Sequence, residues 1–546
     1  MMTAFTNMMK VAVRDPVWFL LAPLKMGKRM MRAVVSIAIA TMIVMLAGKF
    51  ALDTFGFAKG SMPWLALNLF SLLLPLVLIY RQLSSALILH FGTSTDHPYG
   101  SARFASSREI APLTKSQSGL LIGRDPKSRK LLRYDGPAHL LTIAPTRSGK
   151  GVGTIIPNLL TAQRSIICID PKGENASVTG SARRQFGGVH VLDPFNITET
   201  DTSAFNPLDA MDTNNIDIGE DLSTLADALV FDEPGKTGEA HWNEEAKALI
   251  TGMLLMIVAS EPPARRHLMT LREYLTFSPS QFADLLSQMQ NRNDANGLIA
   301  RAANRHLGKP DREAASVLSN AQRHTHFLDS PRMGTVLKRS DFRFGDLKDR
   351  CATIFLVLPP DRLSTYSRWL RLMISESLRD MARTRTTSSS NTPVLYLLDE
   401  FASLGHLASV ERAMGLMAGY GVQLWPILQD IHQLRDTYGK RAGTFLSNSG
   451  VLQVFGVNDY GTAEVVSDLL GQETILFQAM GRSLDPATSS ISFNEQHRGR
   501  PLLTPDEVRN MPNSSQLLFL AGQRPIIGKK LVYYADAEFR EFLKYT

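Results

Sequence analysis

The chain has 546 residues, 44% of them hydrophobic, and its 59 Lys and Arg against 51 Asp and Glu give a formal net charge of +8. That length exceeds one ordinary core and points to two or three domains, while the apolar content excludes a disordered chain. The only cysteines, Cys168 and Cys351, lie in strand-like apolar runs, which excludes a disulfide framework and reads as reduced core residues of a cytosolic domain. The twelve histidines show no metal-ligand spacing. The positive balance favours anionic partners, nucleic acid or lipid headgroups.

Two uncharged apolar runs come first, Ala33 to Gly48 and Gly60 to Tyr80. At 1.5 Å per residue the second spans about 31 Å, close to the hydrocarbon core, and the first about 24 Å, so Arg32 and Lys49 must reach out to the interface. Two membrane helices, about residues 31–49 and 60–80, are expected within an anchor of residues 1–90. A second span follows too soon, and no small-residue cleavage site stands out, for the first to be a signal peptide. Lys10, Arg14, Lys25, Lys28, Arg29 and Arg32 precede the first run, and only Lys49, Lys59 and Asp53 separate the two. The positive-inside rule then places the N-terminus and everything after Arg81 in the cytoplasm.

From about residue 91 strand-like and helix-like stretches alternate, which predicts an α/β domain with a mainly parallel sheet. The strand candidates are Leu140 to Ala144, Ser165 to Asp170, Val189 to Leu192, Ala352 to Leu358, Val394 to Leu398, Gly421 to Pro426 and Val451 to Gly456. The first runs into Pro145-Thr-Arg-Ser-Gly-Lys-Gly-Val-Gly153, the pattern of a nucleotide-phosphate cradle, in which backbone N–H groups and a helix N-terminus face negative charge. Thr146, Arg147, Ser148, Gly149, Lys150, Gly151 and Val152 are expected to line the phosphates of ATP. Against G-x-x-x-x-G-K-[ST], Ala144 replaces the first Gly and Gly151 the hydroxyl that holds Mg²⁺. Asp170 and Lys172, in the turn after the second strand, are candidates to lie beside the same phosphates.

Residues 216–343 carry few strand signals and repeated helical periodicity, as in Ile218 to Val230, Trp242 to Ala259, Ser280 to Met289 and Arg312 to Leu328. They read as an all-α domain inserted between the first part of the nucleotide domain, 91–215, and the second, 344–546. Arg301, Arg305, Lys309, Arg312 and Arg323 make it basic; a solvated face and contact with nucleic acid are both open readings. His241-Trp242 reads as packing at a helix start. Val394 to Glu400 is a continuous apolar strand ending in two acids, so Asp399 is the expected Mg²⁺ ligand and Glu400 the group that polarises water. With Gly151 offering no hydroxyl, Thr154 or Ser148 and water are further candidates for the metal. Gln429 is a candidate γ-phosphate sensor. No residue in these motifs supplies the cation that a neighbouring subunit can bring to the γ-phosphate, and Arg412 is the candidate for it.

Together these residues resemble the coupling-protein ATPases of type IV secretion and bacterial conjugation, the TraG-like branch, whose phosphate loop also carries Gly after the lysine. The likeness continues through Asp170-Pro-Lys-Gly-Glu174, Asp193-Pro-Phe195, Phe205-Asn-Pro-Leu208, His241-Trp-Asn-Glu-Glu-Ala246, Asp399-Glu-Phe-Ala-Ser-Leu-Gly405 and Leu428-Gln-Asp430, over most of residues 95 to 525. It implies a RecA-like P-loop NTPase with an inserted all-α domain and a two-helix membrane anchor. It further implies a homo-hexamer on the cytoplasmic face of the bacterial inner membrane, using ATP and Mg²⁺ to hand relaxase-DNA or protein cargo to the secretion channel. The chain departs from some relatives by having no long acidic tail before Thr546, so cargo docking through such a tail is not expected. Two other readings compete. A different membrane-linked motor predicts several more spans or none, and a receptor that binds nucleotide without hydrolysing it is opposed by Glu400.

Overall fold

Strands whose residues are apolar on both faces are stable only where both faces are covered, and the chain's apolar runs meet that need in one large sheet. The computed structural model describes residues 27–59, 61–67, 69–70, 99–230, 240–384, 392–482 and 491–545. Its strands are β1 (Leu120–Arg124), β2 (Leu131–Tyr134), β3 (His139–Ile143), β4 (Ile166–Asp170), β5 (Gly188–Leu192), β6 (Ala352–Val357), β7 (Val394–Leu398), β8 (Val422–Leu428), β9 (Ser449–Val454), β10 (Gln472–Arg482), β11 (Ile491–Pro501), β12 (Ser515–Leu520) and β13 (Ile526–Lys529). Contacts divide the chain into two units, Met1–Ser101 with Gln472–Arg500, and Ala102–Gly471 with Pro501–Thr546.

The larger unit holds an eleven-stranded sheet ordered β2-β1-β13-β12-β9-β3-β8-β7-β4-β6-β5. All seven strands foreseen in the sequence form its parallel part, β9 to β5, and every residue of β3, β4, β7 and β8 is buried. Their carboxyl ends therefore share one edge. The other four strands, β2, β1, β13 and β12, extend the sheet in antiparallel fashion and were not foreseen. They are short, and charged residues such as Arg124, Arg133 and Lys529 interrupt their apolar pattern. β8 continues past Pro426, where the sequence reading stopped it. Pro426 stands opposite Leu398 at the last register pair with β7, and from Ile427 the strand pairs with β3 instead, so the missing N–H falls where the neighbour changes.

Between β5 and β6 the described elements are all helices. Ala240–Ser260 is the central one. Its residues from Leu249 to Val258 are apolar nearly all round, and Ile218–Leu229, Leu298–Leu307 and Asp311–Thr325 pack against it. Its first two turns are tied by polar pairs. Asn243 Oδ1 accepts from Asn320 Nδ2 at 2.7 Å and contacts His324 Nε2 at 3.0 Å, and Glu245 pairs with Arg305 and Lys309 at 2.7 and 2.8 Å.

In the smaller unit β10 and β11 form a two-stranded sheet. The helix Gly27–Thr54 contains Val35–Thr54, twenty residues of mean hydropathy 2.1, and is the one helix among the described residues long and apolar enough to cross a membrane. Of the second apolar run, residues 61–67 and 69–70 are described and 62–67 are helical, while residues 71–80 lie outside the described residues.

Candidate nucleotide site at the carboxyl edge of the sheet

β3 ends at Ile143, and the next seven residues, Ala144 to Lys150, turn sharply before entering a helix. Gly149 has φ +93°, which a side chain rarely tolerates, and Arg147 adopts φ +62° with its side chain exposed. The helix opens with a π-helical turn, Gly151–Ile155, before Ile156–Thr161. Gly153 is required by proximity, since a Cβ there would stand 2.9 Å from the Leu531 carbonyl, whereas a Cβ at Gly151 would meet nothing within 4 Å. Asn158 fixes the helix to β1 by accepting from Leu121 N–H at 2.8 Å and donating to the Leu121 carbonyl at 2.9 Å.

The ends of β7 and β8 bring their side chains to this loop. Lys150 Nζ lies 2.9 Å from Asp399 Oδ1 and also pairs with Glu400 Oε1. Gln429 Nε2 donates to Glu400 Oε2 at 3.1 Å, and Thr146 Oγ1 donates to Gln429 Oε1 at 3.2 Å. Thr146, Lys150, Asp399, Glu400 and Gln429 thus form one connected cluster. Burial pulls the Lys150 pKa down, but the two carboxylates outweigh it and raise the value, so the ammonium stays charged. Burial raises Asp399 above the usual carboxylate range against the pull of Lys150. Glu400 occupies the left-handed region at φ +49°, and its N–H donates to Asp399 Oδ1 at 2.9 Å.

Other sequence candidates sit differently. The Asp170 carboxylate is buried and accepts the Ala176 N–H at 2.8 Å, capping the helix Glu174–Arg183, and burial raises its pKa to about 6; Lys172 is exposed. The Thr154 hydroxyl is fully buried and donates to Gln453 Oε1 at 3.1 Å, so it is engaged in the core and is not poised for a metal. Ser148 Oγ is buried with no hydrogen-bond partner among the described residues. Arg412 is exposed on the helix Ala408–Leu416, where it lines a cleft of about 240 Å³ with Arg371, His406, Lys247 and Asp227; among the described residues no hydrogen bond or ion pair joins it to the Lys150 cluster. Of the basic residues of the helical region, Arg305 and Lys309 both pair with Glu245, Arg301 donates to the Asn296 carbonyl at 2.6 Å, and Arg312 and Arg323 line an open groove with Trp242. Lys530 was not foreseen from the sequence; its Nζ donates to the Ser148 carbonyl at 2.9 Å, and a lysine after a four-residue strand carries no local signal of that partner.

An unpartnered buried hydroxyl and a lysine shared between two acids, both at the turn from a central parallel strand into a helix, fit a phosphate chain with its Mg²⁺. Fold and site together define a P-loop α/β protein of the RecA-like class. Residues 104–545 match the family T4SS-DNA_transf, "Type IV secretory system Conjugative DNA transfer", and the chain belongs to it. Among its relatives, "Conjugal transfer protein TraG" of Escherichia coli is 29% identical over 501 residues, covering 82% of this chain and 79% of that one. A second protein of that name from the same species is 31% identical over 75% of this chain and 69% of its own. "Protein VirD4" of Rhizobium rhizogenes is 30% identical over 74% of this chain, which spans 60% of that protein. Among solved structures, the bacterial conjugative coupling protein TrwBdeltaN70 aligns at TM-score 0.61 and 20% identity, over 81% of this chain and 96% of that one. TrwB in complex with the ATP analogue ADPNP aligns at TM-score 0.59 and 20% identity, over 80% and 95%. At that identity the likeness speaks for the fold.

Proposed function

We propose that this chain is the ATP-hydrolysing coupling protein of a type IV secretion or conjugation apparatus, which receives relaxase-DNA or protein cargo and delivers it to the secretion channel. The observation that carries the enzymatic part is the cluster of Lys150, Asp399, Glu400 and Gln429 around one phosphate loop. Lys150 exchanges its two acids for β/γ-phosphate oxygens when ATP binds, which frees Glu400 to orient and polarise a water. Gln429, already bonded to Glu400, reports the γ-phosphate to the end of β8. Asp399 would hold Mg²⁺, which would supply charge neutralisation for the phosphates. Ser148 and the backbone of Thr146 to Val152 cradle the phosphates.

In this reading residues 1–90 are a two-helix inner-membrane anchor, 91–215 and 344–546 form the cytoplasmic motor, and 216–343 are an inserted all-α domain. The motor works as a homo-hexamer in which Arg412 approaches the neighbouring subunit's site. Nucleic acid is held through its backbone without sequence preference. The test is complementation in a donor strain lacking its own coupling protein. The wild-type gene restores cargo transfer and Glu400→Gln does not, although both proteins reach the membrane in equal amount. Transfer at the wild-type level by Glu400→Gln contradicts a hydrolysis-driven role.

A further inference from the structure

Lys530 follows β13 directly, and its ammonium donates to two backbone carbonyls, Ser148 at 2.9 Å and Phe455 at 3.1 Å, lying 4.7 Å from the centre of the Phe455 ring. No carboxylate pairs with it among the described residues; burial pulls its pKa down to about 8, which leaves it charged at neutral pH. Its two acceptors belong to the phosphate loop and to the residue after β9, and the Phe455 N–H donates to the Ile143 carbonyl at 2.9 Å. The one ammonium therefore ties the loop to the ends of β3 and β9.

The peptide plane gives this contact its consequence. In a trans peptide the carbonyl of one residue and the N–H of the next point in opposite directions, and the chain has no cis bond among the described residues. Drawing the Ser148 carbonyl to Lys530 turns the Gly149 N–H to the opposite side of the loop. Gly149, at φ +93° and with no atom within 4 Å of a built Cβ, has no steric hold of its own, and glycine visits several backbone regions at similar cost. The same segment supports the loop twice more, through the Leu531 carbonyl against Gly153 and the Tyr533 N–H donated to the Val152 carbonyl at 3.4 Å.

We propose that Lys530 is a positioning residue for phosphate binding, holding the Ser148 carbonyl so that the Gly149 N–H faces the nucleotide. The inference rests on the phosphate-loop reading of the proposed function. An N–H that contacts phosphate before and during reaction contributes to binding in both states, so its loss raises KM and spares kcat.

The experiment uses the full chain in detergent and compares wild type, Lys530→Met, Lys530→Arg and the exposed neighbour Lys529→Met. A fluorescent N-methylanthraniloyl-ATP titration gives Kd, steady-state phosphate release gives KM and kcat, and thermal melting gives Tm. Lys530→Met weakens binding and raises KM about tenfold, with kcat within about threefold and Tm close to wild type. Lys530→Arg, which keeps donors for both carbonyls, recovers most of the affinity, and Lys529→Met matches wild type. Wild-type binding by Lys530→Met overturns the positioning role alone. So does a kcat loss with a collapsed Tm that arginine does not rescue. Failure of the wild type itself to bind the analogue overturns the phosphate-loop reading beneath it.

Discussion

Glu400 is held in the left-handed backbone region at a cost of about 1 to 3 kcal/mol, and what it gains is its place between Lys150 and Gln429. That placement was legible because a strand that is apolar throughout and ends in two acids has one natural edge to end on. Thr154 was not legible: its hydroxyl lies one helical turn after Lys150, but the pairing with Gln453 depends on which strand the helix covers. Thr154→Val should therefore lower stability by about 1 kcal/mol, read as a drop in Tm, and leave the Mg²⁺ concentration for half-maximal hydrolysis unchanged. A marked rise in the Mg²⁺ requirement would return Thr154 to the metal site. Lys150→Ala should weaken ATP binding itself, which the same nucleotide titration measures, because it removes the charge shared between Asp399 and Glu400.

At the scale of elements, the seven parallel strands were readable from continuous apolar runs, whereas β1, β2, β12 and β13 were not, because a short antiparallel edge with polar residues looks like loop. Part of that edge is held by polar side chains inside it. Gln453 donates to Gln516 at 2.8 Å, and Gln516 donates to the Ile122 and Lys529 carbonyls at 2.9 and 3.0 Å. The helix Leu363–Arg383 has a comparable role beside the site, since Arg371 donates to the carbonyls of Leu404 and His406 at 2.7 Å and so anchors the turn after Glu400. On the same helix Glu376 is fully buried, 2.6 Å from Arg379, and burial pushes its pKa up from 4.5 to about 8. An acid with a raised folded-state value holds its proton in the folded chain after the unfolded chain has released it. Its contribution to stability is full below about pH 4.5 and is lost as pH rises to about 8. Melting temperatures should fall over that window in the wild type and fall less in Glu376→Gln; equal slopes would show that Glu376 is ionised throughout.

For the whole molecule, full hydrolysis at the proposed site needs a neighbouring copy of the chain. One chain brings Lys150, Asp399, Glu400 and Gln429 together but places Arg412 in a separate cleft. If a neighbour's arginine completes the site, its absence costs about 10³ to 10⁵ in rate. Specific activity of a fragment starting at residue 91 should then rise with protein concentration, and Arg412→Ala should suppress that rise while ATP still binds. Constant activity in a fragment shown by sedimentation to be monomeric contradicts a shared site. Contact with duplex DNA through about six phosphates predicts that log K falls with log salt at a slope of about −5, with no preference for one short sequence.

The most direct test is phosphate release by the purified full chain, with nucleotide binding measured in parallel, for wild type and Glu400→Gln. The wild type should hydrolyse ATP, and Glu400→Gln should retain ATP binding with turnover lost by at least about a hundredfold. Wild-type turnover in Glu400→Gln, or no turnover in the assembled wild type, would contradict the claim that this cluster is an ATP-hydrolysing centre.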